Sequence, residues 1–343
     1  MKSINHLLSS LEQWADRFGL PSGKTKALCR SMRQVINNLR ERDASTILIG
    51  RDFEDSEGLE CEFVSGSIQL FPTSFGRLAA ITFMPEWKYA WKWEVSDEVA
   101  YDIISDFFHF ASQYIARARH ANMLGALAAA FGRTADFRGN RCIELVSKLG
   151  RDEGQLARLE HELGRRRARG SAMRTRSRHF AAWARILNCL DPHVHRAVFQ
   201  FVRAIKLMQA GFPEESIMSV DGLASVACQL VIDRRGTTIA KPRGGLATAL
   251  KLSAPDQASI DTLYELRCNF GAHPAQTKWW DFAELYEDEI EAYFALATRL
   301  LRGVAVFETS HRAVNPEPAS WSEWFTDNAL WLWDAVWFHR LPA

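Results

Sequence analysis

Residues Asp256 to Pro274 read DQASIDTLYELRCNFGAHP, and the architecture of the chain follows outward from this stretch. At 100° per residue, Ile260, Leu263, Tyr264, Phe270 and Gly271 all fall within about 60° of Arg267, which predicts a helix with an arginine in the middle of its apolar stripe. A guanidinium cannot shed its proton, and burying it unpaired costs several kcal/mol, so Arg267 has to meet an anion or border a polar cleft. Pro274 disfavours helical dihedrals at His273, so the chain should turn there and present the imidazole at the helix end. Asn269 lies within reach to orient that ring, and Gly271 would let another helix or a phosphate approach the backbone.

Upstream, Val198, Val202, Ile205 and Met208 mark one face of a helix that Gly211-Phe212 ends. Pro213, Glu214 and Glu215 suit a first turn, because proline presets the dihedral and acids favour the positive end of the helix dipole. Ile217, Val220, Leu223, Ala224, Ala227, Leu230 and Val231 then stripe a second helix. A Gly-rich basic loop from Arg234 to Gly245 precedes the motif helix, and a further helix runs through Phe294 and Leu301. Residues 187–310 are therefore expected to form an antiparallel helical bundle. The tail, residues 311–343, carries Trp321, Trp324, Trp331, Trp333 and Trp337, which should dock on the bundle or on a partner.

Residues 1–138 read as a small α+β domain. Leu7, Leu8, Leu11, Trp14 and Phe18 set a helical period that breaks at Leu20-Pro21-Ser22-Gly23, and a second helix should run to about Asp43. The period then becomes two over Thr46–Gly50, Leu59–Phe71, Leu78–Met84 and Tyr89–Val95, predicting a short antiparallel sheet. Helical periodicity returns from Asp97 to about Phe131. Residues 139–186 are expected to be an Arg-rich helical linker. Within it, RRRARGSAMRTRSR holds Arg165, Arg166, Arg167, Arg169, Arg174, Arg176 and Arg178 with no acid, either a solvated linker or a segment contacting RNA phosphates, whose oxygens match the guanidinium fork. The fold class expected is mainly α: a C-terminal antiparallel bundle preceded by a small α+β domain.

With 343 residues, 47% of them apolar and 24% charged, the composition is that of a soluble globular chain of about two to three domains, neither disordered nor collagenous. Its 42 basic and 41 acidic residues leave a net charge of +1, so nucleic-acid binding would need a local patch. The longest stretch without Asp, Glu, Lys or Arg, from Phe63 to Gly76, is too short and polar to span a membrane, and MKSINHLLSSLEQW lacks the pattern of a secretory signal. Cys29, Cys61, Cys142, Cys189, Cys228 and Cys268 are scattered without metal-site or disulfide spacing, so a reduced, cytoplasmic protein without metal or cofactor is expected. Gly23-Lys24-Thr25 lacks the spacing and preceding strand of a phosphate loop. His193 and His195 after Asp191-Pro192 read as a capped helix start rather than metal ligands. Asp281, Glu284, Glu287, Asp288, Glu289 and Glu291 wrap around a helix as a solvated face.

The segment LYELRCNFGAHP resembles the signature of the HEPN superfamily (higher eukaryote and prokaryote nucleotide-binding domains), an Arg and a His separated by four to six residues. Arg174 and His179 share such a spacing but lie in a polar run, whereas Arg267 lies mid-stripe ahead of a turn. Cys268 occupies the place directly after the Arg, with Asn269 one residue later. Ala275 stands where a His-x-Tyr extension would put tyrosine, so modification by a nucleotidyltransferase partner is not expected.

The resemblance implies RNA cleavage without metal, with His273 as general base or acid, Arg267 stabilising phosphoryl charge and Asn269 assisting. It also implies a composite site across a homodimer of the bundle. The expectation is a metal-independent endoribonuclease, a toxin or phage-defence effector whose N-terminal domain senses a trigger or regulator or restrains the bundle. The reading from another class is a non-catalytic helical module that binds nucleic acid or a protein partner, with Arg267 held by an internal acid and His273 structural.

Overall fold

The computed structural model describes residues 4–17, 19–38, 46–53, 61–65, 67–72, 78–85, 98–132, 143–147, 173–235, 243–268, 290–311 and 321–340. In chain order these form α1 (Ile4–Arg17), α2 (Ser22–Asn38), β1 (Thr46–Phe53), β2 (Phe63–Val64), β3 (Ile68–Pro72), β4 (Leu78–Pro85), α3 (Glu98–Phe131) and β5 (Ile143–Ser147). They continue with α4 (Met173–Leu187), α5 (Pro192–Gln209), α6 (Pro213–Arg235), α7 (Leu246–Ala249), α8 (Ala254–Arg267), α9 (Ile290–His311) and α10 (Trp321–Arg340). The described chain is mostly helical, with one small antiparallel sheet ordered β2-β3-β4-β1-β5.

The helices begin and end where local chemistry dictates. The break between α1 and α2 follows the expected residues: Gly19 takes a positive φ of 71°, and Leu20 N–H donates to the carbonyl of Ala15 at 2.9 Å. Asp191 caps α5, its carboxylate accepting from the amides of His193 and Val194, and Pro192 follows in the first turn. Gly211, at φ 81°, closes α5 and Pro213 opens α6.

The sheet differs in two respects from the expectation. The run Leu59–Phe71 contains a hairpin, because Ser65 turns the chain: its hydroxyl accepts from the amides of Ser67 and Ile68, and its own amide donates to the Ile68 carbonyl at 2.9 Å. Residues 139–186, expected to form a helical linker, contribute β5, which pairs with β1 from Thr46↔Ser147 to Gly50↔Ile143. The segment then closes with α4. Five residues of strand beside a long polar stretch give too short a period for a pattern reading to isolate. The strand expected at Tyr89–Val95 lies outside the described residues.

Two cores share one helix. The first gathers sheet residues such as Phe53, Leu70 and Ala80 with the C-terminal half of α3 (Met123, Leu124, Leu127) and with α4 through α9. The second gathers α1, α2, the N-terminal half of α3 (Ile104, Phe107, Phe108, Ile115) and α10. The 34 residues of α3 reach about 51 Å at 1.5 Å per residue, enough to serve both. Polar groups also stitch α3 to the sheet. Buried His120 Nε2 lies 3.0 Å from Thr82 Oγ1, and buried Arg119 donates to the Ser67 carbonyl at 3.4 Å.

The Trp-rich tail, expected on the bundle or on a partner, packs within the chain on the N-terminal helices. Helix α10 packs on α1 and α3: Trp333 lies 5.5 Å from Trp14 and 4.3 Å from Phe107 between ring centroids, and Phe325 contacts Phe107 and Phe108. Among the described residues α6 alone is long and apolar enough to cross a membrane by length and composition. No membrane-spanning segment is expected from the sequence. The apolar stripe of α6, Val220, Leu223, Ala224, Ala227, Leu230 and Val231, is buried in the first core.

The crossing of α3 and α5 depends on one missing side chain. A Cβ on Gly125 would stand 2.6 Å from Val198 Cγ1, a β-branched group that is itself fully buried. Gly125→Ala should therefore lower stability by about 1–2 kcal/mol, the gain in helix propensity of about 1 kcal/mol being outweighed by overpacking. Urea denaturation checks this, and a variant as stable as the parent would show that the crossing can widen freely.

Candidate functional site

Helix α8 is set by its first turn. Ser253 and Asp256 form a reciprocal capping box: Ser253 N–H donates to Asp256 Oδ2 at 3.0 Å, and Asp256 N–H donates to Ser253 Oγ at 3.3 Å. Asp256 also takes Arg299 of α9, Nε to Oδ1 at 2.9 Å. Burial alone would raise the Asp256 carboxyl, but the hydrogen bonds from Ser253 and the pairing with Arg299 hold it below its ordinary value. Ile260 and Leu263 then face the core, as the stripe requires.

At the far end of α8, Arg267 meets an anion, the first of the two alternatives its position allowed. Its side chain is 50% exposed, and its Nε lies 3.7 Å from Oδ2 of Asp221 on α6. That separation suits an ion pair but is too long for a hydrogen bond. Asp221 is 3% exposed, and its other oxygen, Oδ1, accepts from Arg243. The Arg243 guanidinium donates through its second terminal nitrogen to Ser225 Oγ at 2.7 Å and lies 5.6 Å from the centroid of the Tyr264 ring. The Arg243 backbone, at φ 128°, occupies a region that costs about 1–3 kcal/mol for a side-chain-bearing residue. Gln257 of α8 braces it, donating to the Arg243 carbonyl at 3.1 Å and accepting from Ala247 N–H at 2.9 Å. Two guanidiniums thus converge on one buried carboxylate, and the outer one, Arg267, carries the surplus positive charge to the surface.

Of the other residues expected at the site, Asn269 and His273 lie outside the described residues, as do Arg165, Arg166, Arg167 and Arg169. Arg174, Arg176 and Arg178 fall in the first turns of α4, with Arg178 exposed. Among the described residues no group of three or more His, Cys, Asp or Glu could hold a metal ion. Asp221, Ser225 and Arg243 were not singled out from the sequence. The available signal was an acid at position 221, next to Val220 in an otherwise apolar stripe, the mirror image of Arg267.

A second charged cluster joins α5, α6 and α9. Arg234 donates to both carboxylate oxygens of Glu308, at 2.9 and 3.0 Å, and to Asp191. His193 Nε2 lies 2.8 Å from Asp233 Oδ2, and its Nδ1 is 3.5 Å from Asp191 Oδ1. The neighbouring Asp191 carboxylate raises the His193 pKa against the opposing effect of burial, with Asp233 adding to the rise. His195, two residues on, behaves oppositely: burial, with the Arg117 charge, lowers it to about 4.

The two histidines give stability a maximum in pH. His193 holds its proton more tightly folded than unfolded, so its contribution is complete below its ordinary value of 6.5 and is lost as pH rises through the raised pKa. His195 must stay neutral when folded, so its contribution is present above 6.5 and is lost as pH falls towards about 4, a change on the order of 3 kcal/mol. Melting temperatures between pH 4 and 8 should peak near 6.5, and His193→Gln should flatten the alkaline side alone. A profile that keeps its alkaline slope in that variant would remove His193 as its source.

No protein-family model, curated protein or solved structure matches the chain. The functional reading therefore rests on the residues themselves.

Proposed function

We propose that the protein is a metal-independent endoribonuclease of HEPN type, acting as a toxin or phage-defence effector. Its site would be completed across a homodimer of the bundle. What supports this reading is Arg267: a half-exposed guanidinium at the end of the motif helix, beside a carboxylate that already has a better-placed cation in Arg243. Such an arginine can turn to an external phosphodiester without leaving a buried charge unpaired.

In the reaction proposed, His273 takes the proton of an RNA 2′-hydroxyl, and the 2′-oxygen bonds to the adjacent phosphorus as the bond to the 5′-oxygen breaks. The leaving 5′-oxygen takes up the proton that His273 removed, giving a cyclic phosphate and a 5′-hydroxyl. Arg267 would stabilise charge on the non-bridging oxygens, with Asn269 steering the imidazole. The requirement for a 2′-hydroxyl confines cleavage to RNA. The arginines between 165 and 178 would hold RNA phosphates, and the N-terminal half would answer to a trigger or regulator in the cytoplasm.

One observation favours the other reading, a helical module that binds nucleic acid or protein without cutting. Arg267 does have an internal acid, Asp221, at ion-pair distance. Incubating the purified protein with single-stranded and transfer RNA in EDTA separates the two. Cuts that vanish in both Arg267→Ala and His273→Ala support the nuclease, and RNA left intact by the parent protein supports the module.

A further inference from the structure

Resting on the ribonuclease reading, we propose that Asp221 is a positioning residue of the cleavage site: it orients Arg267 for phosphate rather than neutralising it. The geometry that points to this is the division of labour between its two oxygens. Oδ1 is taken by Arg243, and Arg243 cannot easily leave. Its guanidinium is fixed by Ser225, one helical turn beyond Asp221, and lies against the Tyr264 ring, while its strained backbone is braced by Gln257. One oxygen of the carboxylate is thereby held, and Oδ2 faces Arg267.

The contact on that side is looser and runs through one edge of the guanidinium. Nε faces Asp221 at 3.7 Å, so the tether engages the inner edge. The two terminal nitrogens form the opposite end, the fork that matches two phosphate oxygens. An arginine side chain has many rotamers, and a fixed partner removes part of that freedom before substrate arrives. Were the pair merely a neutralised ion pair, a close hydrogen-bonded contact and a buried Arg267 would be expected. The side chain is instead half-exposed, and Arg243 is the buried, hydrogen-bonded partner.

The test uses the full-length protein cutting a short fluorogenic RNA in EDTA, with kcat and KM measured separately and thermal melting alongside. Asp221→Asn keeps the size of the side chain and removes its charge, and should lower kcat about tenfold through a misaimed guanidinium. KM should stay within about twofold, because Arg267 still supplies its charge to RNA binding. Asp221→Glu restores the charge with a displaced carboxylate and should give a kcat between those of the asparagine variant and the parent. If Asp221→Asn fails to fold, Asp221→Glu decides alone: a reduced kcat supports the positioning role, and a parental kcat overturns it. A folded Asp221→Asn variant with parental kcat overturns the inference while leaving the nuclease reading intact. A parent protein that cuts no RNA overturns both.

Discussion

In EDTA, His273→Ala is expected to lower the rate of RNA cleavage by about 10² to 10⁴, the range set by losing a general base or acid from a proton-transfer transition state. Arg267→Ala should cost about 10² to 10³, the scale for removing one preorganised donor to developing negative charge. The two losses differ in character. In the proposed mechanism the imidazole would act on protons, so chemical rescue by free imidazole should recover part of the His273→Ala activity. The guanidinium would act on charge, so guanidine should do the same for Arg267→Ala, and Arg267→Lys should recover only a fraction because a point charge lacks the planar fork. Rates and end groups on a defined RNA, read by gel and phosphatase treatment, check the expectation. Products bearing 5′-phosphates, or cleavage that survives either alanine, would dismiss the mechanism.

The second large effect is structural. Trp333→Ala should destabilise the protein by about 3–5 kcal/mol, the usual cost of removing a buried aromatic. Trp333 is 1% exposed and bridges the tail to Trp14 on α1 and Phe107 on α3. Its loss would leave a cavity where three helices meet, with no flexible side chain among those partners to fill it. Denaturation monitored by tryptophan fluorescence and by far-ultraviolet dichroism measures the loss. A change below about 1 kcal/mol would mean that the tail contributes little to the second core.

Much of this architecture was legible because helices advertise themselves through spacing. The stripe from Ile217 to Val231, the Pro213 start and the Gly211 stop describe α6 closely, and Asp191 caps α5 as its position suggested. The sheet was legible in kind and blurred in detail. Serine fits both strand and turn, so the bend at Ser65 lay hidden inside an apparently continuous run. Aromatic density in the tail announced burial but not its partner, because hydrophobic attraction has no direction and Trp333 would suit any apolar groove.

The site divided in the same way. That Arg267 needed an anion followed from its place on the helix. Which anion did not, because Asp221 belongs to a different helix and ion pairing between elements is settled only by packing. Arg243 was harder still, for its role depends on a backbone conformation that an arginine seldom adopts and no periodicity encodes.

The length of α3 has a mechanical consequence. A single rod is embedded at one end among Phe107, Phe108 and the tail, and at the other among Met123, Leu127 and the bundle. The helix runs without interruption from one core to the other, so a twist or shift imposed on its amino-terminal end would be passed towards the helices packed at its other end, as along an axle. For the same reason a fragment severed before α4 would lose the stretch of axle on which α4 and α5 are seated.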